Sequence, residues 1–160
     1  MKKYFFIVML LSAQMLCAVN VNSIINEFKD AKKAEYVSVP WILMKMGHMF
    51  MDKDDKNDIA GRINSVRVLD LEECSERVKT RFTKRIASLN GHGYETLVRA
   101  KDQEGSVQIL VKEKKDIIKE LLIVCGGKDD CALIQLKGNI RQEDIDKLIE
   151  QETEKRNGRK

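Results

Sequence analysis

The chain has 160 residues, with 29 basic against 25 acidic side chains and only 6% aromatic residues. That length suits one domain with its own core. The formal charge of +4 falls to +2 once Lys2 and Lys3 are set aside, which argues against nucleic acid as the main partner, and the few aromatics argue against an aromatic-lined sugar or base platform.

The first eighteen residues read as an address and not as part of a fold. Lys2 and Lys3 give a positive start, residues 4–11 (YFFIVMLL) an apolar run, and Leu16-Cys17-Ala18 a small residue at a cleavage point. This is the layout of a secretory signal peptide, and its apolar run is too short to span a bilayer. Cleavage is expected between Ala18 and Val19. The alternative is lipid attachment at Cys17, but Gln14-Met15-Leu16 lacks the small residues that processing prefers. No other stretch is apolar and long enough for a transmembrane segment. The expected product is exported, periplasmic or associated with the outer membrane, with one domain over 19–152 and a polar tail over 153–160 (TEKRNGRK).

Along that domain, residues 23–32 carry Ile24, Ile25 and Phe28 at amphipathic-helix spacing, and 35–39 (EYVSV) alternate as a strand that Pro40 stops. Residues 41–50 (WILMKMGHMF) predict a helix with Leu43, Met46 and Phe50 on a core-facing side; a methionine-rich metal or partner site is the alternative. Residues 51–61 (MDKDDKNDIAG) resemble a calcium loop only superficially. Counting from Asp52, Lys56, Asn57 and Ile63 occupy positions where an EF-hand needs a ligand, a glycine and a glutamate. A solvated loop is expected there.

Residues 64–71 predict a strand, and 73–89 a helix with Cys74, Val78, Phe82, Ile86 and Leu89 inward and Gly91 at its end. Its outer face carries Arg77, Lys79, Arg81, Lys84 and Arg85. A solvated face is expected, with an anionic envelope component as the alternative partner. Strands are then predicted over 94–101, 106–112, 117–125 and 131–137, forming a four-strand meander. A final helix is predicted over 142–152, with Glu143 and Asp144 in its first turn. Within 117–125 the run Leu121-Leu122-Ile123-Val124 is apolar in both phases of a strand, so both of its faces call for cover. These elements make the fold class α+β, a mostly antiparallel sheet with helices packed on one face.

The order of these elements carries a resemblance. Residues 36–46, 63–69 and 94–98, and above all Ile134-Gln135-Leu136-Lys137-Gly138-Asn139-Ile140 followed by Glu143-Asp144-Ile145, are similar to a Bacteroidota family of small exported proteins, domain of unknown function 4252. The resemblance runs from about Phe28 to Leu148, and the closing G-N-[hydrophobic]-x-x-E-D-I element is its most specific part. Arg141 stands where that family often has a Ser or Thr helix cap. The resemblance implies export from a Gram-negative cell and an α+β domain. It supplies no reaction, ligand or catalytic residue.

The residues themselves offer little chemistry. Cys125 and Cys131 flank the GGKDD loop and would face each other across a hairpin if all five intervening residues formed the loop, giving a disulfide; a one-residue change of register would leave two thiols instead. Cys74 reads as a buried small hydrophobe. The spacing does not fit a redox C-x-x-C pair or a zinc site. His48 and His92 have no nucleophile motif beside them, and no P-loop, dinucleotide fingerprint or HExxH occurs, so neither an enzyme nor a cofactor is expected. The expected function is a non-catalytic protein-binding or structural role in the cell envelope, by association with a protein or with itself through Leu121, Leu122, Ile123 and Val124. A regulatory partner in envelope signalling, or a lipid or small-molecule carrier, are the alternatives.

Overall fold

A computed structural model of the protein describes residues 20–49, 59–101, 105–127 and 129–145. The leader with Cys17, Ala18 and Val19, residues 51–58 of the polar loop, the last helix beyond Ile145 and the tail over 153–160 lie outside them.

Helix α1 (Val21–Phe28) starts two residues earlier than the apolar spacing predicts, because Asn20 is its cap: the Asn20 Oδ1 accepts the Ser23 N–H at 2.9 Å. Val21, Ile24, Ile25 and Phe28 form its buried stripe. The chain turns back at Lys33, in the left-handed region at φ 69°, into strand β1 (Glu35–Val39). Helix α2 (Trp41–Met49) begins just after Pro40. A 3-10 turn (Ile59–Arg62) then leads into β2 (Ile63–Asp70), and helix α3 (Glu76–Ala87) ends before Gly91, at φ 82°.

Strands β3 (Glu95–Lys101), β4 (Gly105–Lys114), β5 (Ile117–Gly127) and β6 (Cys131–Ile140) pair antiparallel in sequence order, and β6 continues onto β2 and β1. The result is one six-stranded antiparallel sheet in the order β1-β2-β6-β5-β4-β3. The long central strands β5 and β6 have neighbours on both sides, while the edge strands β1 and β3 are the most exposed.

Side-chain alternation divides the apolar residues between two clusters. On the first face α1 and α3 pack together and onto the sheet. The Phe28 and Phe82 rings meet edge to face at 5.6 Å, and their cluster includes Leu69, Leu110, Leu122, Val124, Cys131 and Leu133. The second cluster joins Val111, Ile118, Leu121, Ile140 and Ile145. The expectation that helices pack on one face therefore needs correction at the C-terminal end. The first turn after β6 places Ile145 with Leu121 and Val111, on the side opposite α1 and α3.

Helix α2 corrects a second expectation. Trp41, Ile42, Leu43 and Met46 are each more than half exposed, so Leu43 and Met46 do not enter the core. The helical spacing is correct, but the helix borders β2 elsewhere, where Trp41, Met44 and Lys45 line a groove with Ile63 and Asn64. Phe50 lies outside the described residues.

Candidate functional site

The run predicted as a binding face, Leu121 to Val124, is divided by the pleat. Leu122 and Val124 point to α1 and α3 and are buried, whereas Leu121 and Ile123 point the other way. On that second face the register builds one continuous row across all six strands: Val37, Val68, Ile134, Ile123, Ile109 and Val98. The adjacent row is Val39, Val66, Leu136, Leu121 and Val111. Leu121 and Val111 are buried beside Ile145, but the first row is half-buried in its middle and exposed at its ends, with Val37 at 58% and Val98 at 37%. An isolated reading of β5 finds two of these residues; the strand order supplies the others.

The basic face of α3 is largely engaged within the molecule. Both Arg81 and Arg85 donate to the Glu27 carboxylate of α1, at 2.6 to 2.9 Å, and Arg81 also covers the Phe28 ring. Burial opposes the Glu27 charge, but the Arg81 and Arg85 hydrogen bonds outweigh it and hold the carboxyl below its ordinary range. Lys79 is buried and pairs with Glu76 at 3.6 Å. Of the five basic residues, Arg77, Arg81 and Lys84 line a surface groove with Glu76 and Thr80.

Of the two alternatives for Cys125 and Cys131, a disulfide or two thiols, the structure has two thiols. The register sets Cys125 opposite Ala132 and Cys131 opposite Gly126, one residue out of step. Their side chains therefore leave opposite faces of the sheet, the geometry that forbids a bond. Burial pushes the Cys131 thiol up to about 11 and raises Cys74 as well; Cys125 is raised by its partial burial and by Asp130. His92 lies exposed in the turn after α3, its backbone N–H bonded to the Leu89 carbonyl; the side chain of His48 is outside the described residues.

One polar chain has no counterpart in the motifs legible in the sequence. On the helix-bearing face, Arg67 Nε donates to Gln135, Gln135 donates to Glu120, and Tyr94 bonds the same carboxylate. Gln135 is 1% exposed. Burial first, then the Glu120 charge, drive the Tyr94 phenol well above its ordinary value. The available signal was Gln135 itself, a polar residue in the inward phase of the apolar run LIQLK. Among the described residues no group of three His, Cys, Asp or Glu is placed to hold a metal, and no helix is long and apolar enough to cross a membrane.

The sheet and its clusters define a small α+β domain built on one six-stranded antiparallel sheet. Within that class the chain belongs to the family described as Domain of unknown function (DUF4252), whose model matches residues 28–148. No curated protein and no solved structure matches the chain.

Proposed function

We propose that the protein is an exported cell-envelope component of a Bacteroidota cell and acts as a non-catalytic protein-binding or structural domain. The observation that supports this reading is the row from Val37 to Val98, apolar on every strand and exposed at both ends. A sheet that has already buried one face under helices gains by covering such a second face with another protein surface, since the contact removes apolar area from water. The surface grooves lined by Glu76 and Arg77, or by Ala100 and Cys125, are open to solvent, which favours a docking role over an enclosed carrier site.

The test is crosslinking and recovery of tagged protein from its native envelope. Val98→Glu and Val37→Lys place charges at the two exposed ends of the row, where the core is not disturbed. Both should lose the partner that the wild type recovers, while Arg77→Glu on the other side keeps it. Equal recovery by all variants, or a partner lost only with Arg77→Glu, would remove the second face from the mechanism.

A further inference from the structure

The helix-bearing side of the sheet carries a separate surface, chemically unlike the apolar row and independent of any docking there. Near the start of α1 lies a groove of about 300 Å³ lined by Asn22, Ser38, Trp41, Ser65, Arg67 and Lys137. The register explains why these groups meet. Ser38 is opposite Arg67, and Ser65 is opposite Lys137, so the two cations are diagonal neighbours on adjacent strands of one face. Such neighbours lie roughly 7–8 Å apart, with their β-carbons somewhat closer.

Arg67 is held in place by neutral groups. Its Nε donates to Gln135 Oε1 and its Nη2 to Asn22 Oδ1, both amide oxygens. Gln135 is itself fixed by donating to Glu120. Glu120 stands opposite Lys137 in the register and is engaged by Gln135 and Tyr94; it is not among the residues that line the groove. Neither Arg67 nor Lys137 forms an ion pair among the described residues. Arg67 is held by its bonds to Gln135 and Asn22, and an anion seated between it and Lys137 would meet both charges. Three of the five guanidinium N–H donors remain unused by these bonds. The serine hydroxyls add donors, and the Trp41 ring, 55% exposed, supplies an apolar wall at the rim beside Ile42.

We propose that this groove binds a phosphate-type oxyanion carried on an apolar or aromatic body, with Arg67 and Lys137 holding the oxyanion and Trp41 covering the body. Phosphate is favoured because its several acceptor oxygens can take a guanidinium fork and an ammonium together. The same chemistry is presented by a soluble phosphomonoester and by an anionic lipid headgroup.

Trp41 is the only tryptophan of the chain, so its fluorescence reports on this groove and on the adjoining one lined by Met44, Lys45, Ile63 and Asn64, and the Lys137 and Arg67 variants tell the two apart. Protein purified from the cell that produces it is titrated with inorganic phosphate, phenyl phosphate, phosphatidylglycerol vesicles and phosphatidylcholine vesicles. A saturable Trp41 response is expected with phenyl phosphate or with phosphatidylglycerol, weaker with inorganic phosphate and missing with phosphatidylcholine. A response to phenyl phosphate assigns a soluble ligand; a response to phosphatidylglycerol alone assigns the headgroup. Lys137→Gln removes no internal bond and keeps the fold, and it should weaken binding on the order of ten-fold, as the loss of one charge-assisted contact does. Arg67→Lys keeps the charge but loses the fork and should weaken it comparably. A Trp41 response absent with every probe, or unchanged in both variants, overturns the proposal.

Discussion

Arg62 Nη1 lies 2.8 and 2.6 Å from the two carboxylate oxygens of Asp144, joining the entrance of β2 to the turn after β6. Asp144 also accepts the backbone N–H of Arg141 at 2.8 Å, so one buried carboxylate anchors a distant guanidinium and caps its own helix from the third position. This bond is the N3 half of a capping box; the other half, a Ser or Thr side chain at position 141 accepting a first-turn N–H, has no equivalent in Arg141. Removing the carboxylate strands both donors. Asp144→Ala should therefore cost about 2–3 kcal/mol, below the range for breaking a fully buried pair because Arg62 retains access to water. Urea denaturation monitored by circular dichroism measures it. A double variant with Arg62→Met should be less destabilised than the sum of the single changes.

Gly138 is required by the same junction. A β-carbon there would sit 3.0 Å from the Arg62 carbonyl carbon and the Ile63 α-carbon, and closer still to the Arg62 carbonyl oxygen. These are backbone atoms that a rotamer change cannot move. Gly138→Ala should destabilise by about 2–4 kcal/mol through forced separation of the 3-10 turn from β6. Asn139→Ala, next to it but exposed and bonded only to the Lys119 ammonium among the described contacts, should change stability by less than about 1 kcal/mol. Thermal melts of the two variants make the comparison.

The Glu27 clamp predicts a pH dependence. Its carboxyl is held below the ordinary range in the folded protein, so the unfolded chain binds the proton more readily. The stabilisation is thus present above the unfolded carboxylate range and is lost as pH falls through the folded value. Arg81 is well exposed, and screening reduces the gain. Glu27→Gln should cost about 1 kcal/mol near neutral pH. The gap to wild type should close as the solution is taken below the carboxylate range. Denaturant midpoints of both proteins across that range measure the difference directly.

The elements legible in the sequence were those with an intact period. The stripe of Cys74, Val78, Phe82, Ile86 and Leu89 fixed α3 on the sheet, and the alternation of 131–137 fixed β6. The register was not legible, since a hairpin loop of five residues and one offset by a residue present the same apolar pattern. That offset separates Cys125 from Cys131, whereas the pleat alone sends Leu121 and Leu122 to different clusters. The exposure of Leu43 and Met46 was hidden for another reason: helical spacing identifies a face, but only the tertiary fold decides whether anything packs against it. The groove at Arg67 depends on side chains from α1, β1, β2 and β6, and no local stretch contains two cations at that spacing.

The register makes the thiols distinguishable. Cys125 is half-buried on the second face, while Cys74 and Cys131 are enclosed in the helix-bearing cluster, where the Cys74 thiol lies 3.4 Å from the Lys32 carbonyl oxygen. Burial raises Cys131 from an ordinary 9.0 to about 11, which keeps it protonated in mildly alkaline solution. Alkylation with iodoacetamide should therefore modify Cys125 first, with Cys74 and Cys131 reacting only as denaturant opens the core. Peptide mapping of the non-reduced protein should recover no Cys125–Cys131 crosslink. The raised thiol also contributes stability that is complete below its unfolded value and declines as pH rises toward 11, because the unfolded chain releases that proton earlier. Replacing Cys131 by Ala should remove this alkaline loss, and a midpoint that still falls equally steeply above pH 9 would place its origin in another group.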